Sequence, residues 1–326
     1  MIQQKIKMKY LFTLILPLFF VGCGYSQNHA SKIVFYNVEN LFDTLDTPDK
    51  DDSEFLPGTK RDWNSDRYNE KLAHINQVIK EYANPLVIGL CEIENEQVVR
   101  DIVQFGELKS NYGVVHTESL DARGIDNAII YDSSRIELED HGTVRFEMPQ
   151  GSSPSRDIVW AKFKSENEPF YVMVNHWPSR RGGQVESEPK RLIAAGAAKR
   201  FIDSLLTIDK KTQILFMGDL NDYPTDIAPQ MIANLLKPMI TTDSGKYGGS
   251  NNYRGEWNIL DHIMVSPGFF KKKGCYVKKK SGEIGEYDYL LTEYKGNIVP
   301  FRTYGGGKYL KGYSDHLPVS IEVDFK

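Results

Sequence analysis

The residue types able to do chemistry in this chain stand where apolar runs stop. Lys32–Phe35 leads into Tyr36-Asn37-Val38-Glu39-Asn40-Leu41-Phe42-Asp43, and Leu86–Cys91 delivers Glu92-Ile93-Glu94-Asn95. Phe170–Val174 delivers Asn175-His176-Trp177-Pro178-Ser179-Arg180, and Gln213–Met217 delivers Gly218-Asp219-Leu220-Asn221-Asp222. Asp261-His262 lies within Trp257–Val265, and Ser314-Asp315-His316 comes just before the last apolar stretch. A single acid after a strand is ordinarily a turn residue. Repeated at one strand end after another, these types put oxygen donors and imidazoles where a rigid scaffold can converge them. With no cysteine cluster and no His-Glu-x-x-His, the set suits Mg2+, and after it Mn2+ or Ca2+, better than structural zinc. There is no G-x-x-x-x-G-K-S/T, no G-x-G-x-x-G and no G-x-S-x-G, and Gly305-Gly306-Gly307-Lys308 reads as a turn. Carboxylates on a hard metal beside Asp–His pairs point to water attacking phosphorus, with the metal neutralising phosphate charge and a carboxylate or histidine handling the proton.

The elements that must position these groups alternate in type. Strands are expected at Lys32–Val38, Leu86–Glu92, Asn127–Tyr131, Ile158–Phe163, Phe170–Asn175, Gln213–Met217, Ile259–Val265 and Pro318–Val323, all rich in Val, Ile, Phe and Tyr. A helix is expected at Asp66–Tyr82, where Tyr68, Leu72, Ile75, Ile79 and Tyr82 form one stripe, Asn64 or Ser65 caps the start and Asn84-Pro85 ends it. A second runs from about Pro189 to Leu206, with Pro189 in the first turn. Asp43–Trp63 is polar and acidic, and reads as a solvated loop or a regulatory cation site. Lys271–Lys280 holds six lysines, the pattern of a solvated hairpin, a protected sheet edge or a guide for polyanions.

The 326 residues are 40% apolar and 26% charged, which excludes disordered, collagen-like and multi-span membrane classes. Three cysteines, Cys23, Cys91 and Cys275, are too few for a disulfide scaffold, and Cys91 sits in an apolar run as a buried thiol. The amino terminus carries Lys5, Lys7 and Lys9, then the apolar run Tyr10–Val21, too short to span a membrane, then Gly22-Cys23-Gly24. This is the pattern of a lipoprotein-type signal peptide over 1–22, with Cys23 lipidated, a tether over 23–31 and one domain over 32–326. The protein is therefore expected to be exported to the cell envelope and anchored there by lipid. Its formal net charge is −4, and loss of the three leader lysines takes it to −7, which argues against coating nucleic acid by bulk positive charge.

Asn37-x-Glu39, Glu92, His176, Gly218-Asp219-x-Asn221, Asp261-His262 and Ser314-Asp315-His316, in this order, resemble the endonuclease/exonuclease/phosphatase superfamily over essentially all of 31–326. Asn-Val-Glu-Asn-Leu-Phe-Asp, Arg-Gly-Ile-Asp and Asn-His-Trp-Pro-Ser-Arg look like a bacterial subgroup of exported or envelope proteins. The resemblance implies a four-layer α/β sandwich, two mostly antiparallel sheets flanked by helices, with the active residues at one end. It implies that Asn37 and Glu92 form the metal site, Glu92 binding directly, with Asp315 a second ligand. Asp219 would orient or deprotonate the attacking water, and Asn221 would hold a phosphate oxygen. His316, oriented by Asp261, would contact the scissile phosphate or act as base. His176 matches a histidine that deoxyribonuclease-like members use as acid or phosphate binder and that apurinic endonucleases replace by tyrosine.

Arg180 and Arg181, directly after the His176 motif, are candidate substrate contacts. Arg123 and Arg156 read either as phosphate clamps or as surface ion pairs. His262 reads as structural. Tyr247, Tyr253 and Trp257 read as stacking platforms for a base or sugar or as packing. The substrate is a phosphate ester, nucleic acid first, which makes a nuclease-type phosphodiesterase the leading reading. A phosphomonoesterase or a lipid phosphodiesterase of inositol-phosphate or sphingomyelin type is the alternative. No exposed aromatic hairpin for a lipid surface stands out. A non-catalytic surface-binding lipoprotein is a third reading, and no protein partner is implied.

Overall fold

The computed structural model describes residues 30–106, 108 and 111–326. The expected signal peptide 1–22, the lipidated Cys23 and all but the end of the tether 23–31 lie outside the described residues. The chain first lays down β1 (Ser31–Leu41), helix α1 (Ser65–Lys80), β2 (Val87–Ile93), helix α2 (Glu96–Phe105), β3 (Tyr112–His116) and β4 (Asp126–Asp132). It then crosses to a second sheet with β5 (Glu137–Val144), β6 (Ile158–Ser165), β7 (Glu168–His176), helix α3 (Gln184–Ile208), β8 (Gln213–Asp219), helix α4 (Ile227–Ala233) and β9 (Lys237–Pro238). A hairpin of β10 (Asn251–Tyr253) and β11 (Glu256–Asn258) precedes β12 (Asp261–Val265). The chain returns to the first sheet with β13 (Cys275–Val277) and β14 (Glu283–Ile284). Hairpins β15 (Leu291–Tyr294) with β16 (Asn297–Pro300) and β17 (Tyr304–Gly305) with β18 (Lys308–Tyr309) follow before the last strand, β19 (Val319–Phe325).

The first sheet has the order β13-β19-β1-β2-β4-β3 with β14 also on β19, and the second has β5-β6-β7-β8-β12-β9. All pairs in both sheets are antiparallel except β1–β2 and β7–β8. Each parallel pair is joined by a helical crossover, α1 or α3, as parallel strands require. Alternate residues face opposite layers. In β8, Leu215 and Met217 enter the core between the sheets, while Ile214 and Phe216 pack under the outer helices with Ala194, Ala198 and Ile202 of α3. Leu72, Ile75 and Ile79 of α1 and Val98, Val99 and Ile102 of α2 join the core of the first sheet. The result is the expected four-layer sandwich, two mostly antiparallel sheets flanked by helices.

Helix α1 starts at its expected cap, since the Asn64 side chain accepts the Arg67 N–H. Helix α3 differs: it begins at Gln184, more than a turn before Pro189, which lies inside it. A buried arginine holds this early turn. Arg191, 0% exposed, donates to the Gln184 carbonyl at 3.0 Å and to Ser187 Oγ at 2.8 Å, and pairs with Asp222 Oδ1 at 2.7 Å. Removing one partner of such a pair leaves an uncompensated buried charge. Arg191→Leu is therefore expected to lower unfolding free energy by about 3–5 kcal/mol, read from urea midpoints at unchanged m-value.

Two polar segments are ordered parts of the fold. The Lys271–Lys280 segment is a sheet edge: Cys275 and Val277 are buried in β13, and Lys273 pairs with Glu168 at 2.6 Å. Register puts Cys275 opposite Phe325 and Ser31 opposite Val323, so these lysines stand beside the starts of β1 and β7, at the far end from Asn37 and His176. The acidic loop 43–63 is folded, with Phe42, Phe55 and Trp63 packed on Ile125 and Tyr304, and Trp63 Nε1 donating to the Phe42 carbonyl at 2.8 Å.

Candidate active site

The carboxyl ends of the two parallel pairs, β1–β2 and β7–β8, meet at one end of the sandwich. On β1 and β2 the regular ladder breaks there: pairing shifts between Asn37 and Leu41, and again between Cys91 and Ile93. Glu39, Asn40 and Glu92 have φ of 52°, 54° and 61° in these breaks. A non-glycine residue in the left-handed region costs about 1–3 kcal/mol and persists where the surroundings impose it, and bulges of this kind re-aim side chains. Here they turn Glu92 toward Asn37, whose Nδ2 lies 3.4 Å from Glu92 Oε1 and 3.1 Å from Asp219 Oδ2 across the sheets. The Asn40 N–H holds the other Glu92 oxygen at 3.0 Å, and the Glu39 N–H fixes Asn37 Oδ1 at 3.0 Å.

In the second sheet the register itself builds a row. Asp219 stands beside His176 on β7 and opposite Asp261 on β12. Gly218 permits this close approach, since a Cβ there would come 2.3 Å from the Asn175 carbonyl oxygen. His316 closes the site from the approach to β19, where it bridges to Asn251. Its Nδ1 is 2.7 Å from Asp261 Oδ2, and its Nε2 is 3.7 Å from Asp219 Oδ2. His176 Nε2 faces the same Asp219 oxygen at 3.7 Å and Glu92 Oε1 at 3.8 Å. Ser250 Oγ donates to Asp261 at 2.6 Å, and Ser314 Oγ donates to the Asn37 carbonyl at 2.7 Å, tying the histidine loop to both sheets.

The two histidines are driven to opposite charge states. Burial, helped by Arg156, Arg123 and His316, holds His176 well below the ordinary imidazole range, so it is neutral. Burial also opposes charge on His316, but the Asp261 and Asp219 carboxylates outweigh it and hold His316 well above that range. Burial raises Asp219 to about 7; His316 and the Asn221 N–H oppose this, while Asp261 and Glu92 add to it. Oxygen ligands crowded with like charge fit a hard divalent cation. Asp219, Asp261 and His316 each offer a ligand atom within 4.8 Å of the others, and a second such group is His116, Glu118 and Asp126.

The remaining expected residues take different places. Asn221, at φ 50°, donates its backbone N–H to Asp219 Oδ1 at 2.9 Å and its Nδ2 to the Trp177 carbonyl at 3.1 Å. Asp315 pairs with Arg302 at 2.9 Å. Arg180 is committed to protein groups: Nε donates to the Asn221 carbonyl at 2.7 Å, and the guanidinium pairs with Asp226 at 3.3 Å and stacks on Tyr223. Arg181 is exposed, and Arg123 is half exposed, 3.6 Å from Asp121. Arg156 is buried, donating to the Trp177 carbonyl at 2.7 Å beside His176. Tyr247 and Trp257 stack on each other, centroids 4.9 Å apart.

A set of buried charges lies under Asn37 whose grouping is not legible in the sequence. Arg302 bridges Glu39, at 2.9 Å, to Asp315, and Lys71, 1% exposed, donates to Thr303 Oγ1 at 2.6 Å. Burial and Asp315 push Glu39 up to about 7, and burial brings Lys71 down to about 8. Glu39 was visible in the Asn37-x-Glu39 motif; a lysine on the apolar side of a helix was the missed signal. Exposed aromatic hairpins do not stand out in the sequence. In the structure, β10–β11 and β15–β16 lie against each other beside His316 and expose Tyr253, Tyr294 and Ile298, with Arg254 over Tyr253 and Lys295 over Tyr294.

His262 is structural, its Nε2 at 3.0 Å from the Asp222 carbonyl. Burial holds it down to about 4. Its neutral form is the folded form, so stability is complete above the unfolded value of about 6.5 and falls as pH drops toward 4. His262→Gln is expected to flatten this acid limb, worth about 3 kcal/mol, in urea midpoints measured from pH 7 to 4.

Residues 32–325 match the family model described as Endonuclease/Exonuclease/phosphatase family. The chain is 23% identical to the Protein angel of Drosophila melanogaster over 262 residues, 73% of this chain and 68% of that one. It is similar in fold to a mannosyl-6-phosphatase from Bacteroides thetaiotaomicron, with TM-score 0.60 and 17% identity over 90% of this chain and 100% of that one. It is also similar to the human Nocturnin catalytic domain with bound sulfate, with TM-score 0.57 and 14% identity over 91% of this chain and 95% of that one. The family match over nearly the whole described chain and an acid–histidine centre fit for a divalent cation characterise a metal-dependent phosphoesterase: the chain belongs to the endonuclease/exonuclease/phosphatase family.

Proposed function

We propose that this protein is a Mg2+-dependent phosphodiesterase of the nuclease type, exported and held at the cell envelope through Cys23. One observation supports it above the others: a neutral and a charged imidazole both face Asp219 Oδ2, each at 3.7 Å. Glu92 and Asn37 would hold the ion, while the Asp315 carboxylate is engaged with Arg302. Once bound, it supplies charge neutralisation on the phosphate oxygens.

Asp219 takes the proton of the attacking water, its other oxygen fixed by the Asn221 N–H. His316 presents its charged ring to the scissile phosphate, and Asp261 at Nδ1 fixes the ring orientation. His176, neutral in the free protein, donates an N–H to a phosphate oxygen. Tyr253 with Arg254 and Tyr294 with Lys295 form aromatic–cation pairs beside the site, suited to stacking bases along a phosphate backbone. Arg123 and Arg181 add positive charge for the same substrate. The similar mannosyl-6-phosphatase favours a sugar phosphate monoester as the second reading.

The test is Mg2+-dependent nicking of plasmid DNA by the purified protein, with Asp219→Ala and His316→Ala alongside. Nicking that disappears in chelator and in both variants is the expected result. Absence of nicking together with release of phosphate from a hexose 6-phosphate overturns the nuclease reading in favour of the monoester. Hydrolysis of sphingomyelin or inositol-phosphate headgroups alone overturns it in favour of lipid.

A further inference from the structure

A second group of ligand atoms stands on the opposite face of the first sheet. β3 ends at His116, whose register partner on β4 is Ala128. Asp126 lies two residues before Ala128, so it shares that face and sits diagonal to His116. Asn127 points the other way, its amide donating to the carbonyl of Asp157, the residue before β6 in the second sheet, at 2.8 Å. The first sheet therefore separates this group from Asn37 and Asp219.

His116 Nε2 and Asp126 Oδ2 face each other at 3.4 Å, on side chains 3% and 1% exposed. Neither atom has a hydrogen-bond partner. The other Asp126 oxygen is fixed by the Ser119 N–H at 3.1 Å. Glu118, itself exposed, completes the group, with one ligand atom from each residue inside 4.8 Å of the others. Burial and the Asp126 carboxylate push the Glu118 carboxyl up, as two acids facing one space require. Lys50 is the neighbouring cation, and its ammonium is directed to the Ser119 and Asp121 carbonyls at 3.0 and 3.1 Å. Two buried lone-pair atoms left without a hydrogen-bond donor, the unprotonated His116 Nε2 and Asp126 Oδ2, are costly in a folded protein, and a cation between them satisfies both.

We propose that His116, Glu118 and Asp126 bind a divalent transition-metal ion, Zn2+ or Mn2+, at a site separate from the catalytic one. One imidazole nitrogen and two carboxylates are the donors these ions accept, and the exposed side at Glu118 leaves room for water ligands. The ion fastens the ends of the loop 117–125. That loop carries Arg123 and also Asp121, which receives Arg156 at 3.3 Å, and Arg156 in turn holds the Trp177 carbonyl next to His176. The ion is thus a structural clamp on the loop that presents Arg123 to substrate.

The test counts Mn2+ bound to the metal-stripped protein by EPR of the free ion, and follows Tm with added Zn2+. Comparison is made among wild type, Glu92→Gln, and the loop variants Glu118→Gln and His116→Ala each built into the Glu92→Gln background. Because Glu118 is exposed, Glu118→Gln leaves the fold intact even if His116→Ala does not. The expected result is one ion retained by Glu92→Gln, bound about 10-fold or more weakly in Glu118→Gln and His116→Ala, with the Zn2+-induced rise in Tm reduced in step. If Glu92→Gln retains no ion, or if the retained ion is bound as tightly in both loop variants as in Glu92→Gln alone, the site is overturned.

Discussion

Asp219→Asn is expected to lower kcat by about 1,000-fold on whichever phosphate ester the protein turns over, while making the metal-free protein no less stable. The amide keeps the shape of the carboxylate and can still receive the Asn221 N–H, but it takes no proton from water. Asn37 Nδ2, 3.1 Å from the other oxygen, loses its acceptor at a cost of about 1 kcal/mol, less than the relief of the buried charge. The stability half follows from linkage. Burial, with Asp261 and Glu92 nearby, raises Asp219 to about 7 in the folded chain, against about 3.9 unfolded. A raised carboxyl contributes stability that is complete below the unfolded value and is lost as pH rises through the folded one. At pH 8 in chelator the Asp219 charge therefore works against the fold, and its removal raises Tm. A residue kept for chemistry at the expense of stability behaves in this way. Unchanged kcat with lower Tm would instead make Asp219 a structural residue.

Much of the architecture was readable because burial leaves a periodic record. All eight expected strands are present, and α1 falls within two residues of its expected ends, since an apolar stripe and a side-chain cap define it. β5 was missed because it is an edge strand whose Glu137-Leu138-Glu139-Asp140-His141 carries little apolar signal and stays largely exposed. α2 is not among the expected helices although Asn95 caps it, because its ten residues bury only Val98, Val99 and Ile102, too short a stripe to stand out. α3 was placed late because Pro189 is a strong start signal, and the contacts of Arg191 with the earlier turn are tertiary.

At the site, motif order brought out Asn37, Glu92, His176, Asp219, Asp261 and His316, which the structure gathers at one end of the sandwich. Their charge states were not readable. Two histidines that look alike in sequence differ because burial, with Arg156 and Arg123 nearby, dominates at His176, whereas at His316 the Asp261 carboxylate hydrogen-bonded to Nδ1 and Asp219 outweigh burial. Arg180 shows the converse: its place after a functional motif suggested substrate, but its neighbours in space are Asn221, Asp226 and Tyr223.

The Asp261–His316 pair should act as one unit, and the second large effect follows from that. Asp261 is 0% exposed and touches His316 Nδ1 at 2.7 Å, so its role is to fix the ring and favour its charged form. Asp261→Asn is expected to cost about 1,000-fold or more in kcat with little change in KM, approaching the loss in His316→Ala. The double variant should be within about 10-fold of the worse single one, because the second change removes a group whose partner is already gone. The pH profile separates orientation from mere packing. If the charged His316 ring contacts the phosphate, activity falls as pH rises through the His316 pKa. Asp261 and Asp219 hold that pKa high, so Asp261→Asn must move the basic limb to lower pH. A basic limb that stays in place while kcat falls would mean that Asp261 only braces the strand, and full additivity of the two losses would mean that the pair does not function together.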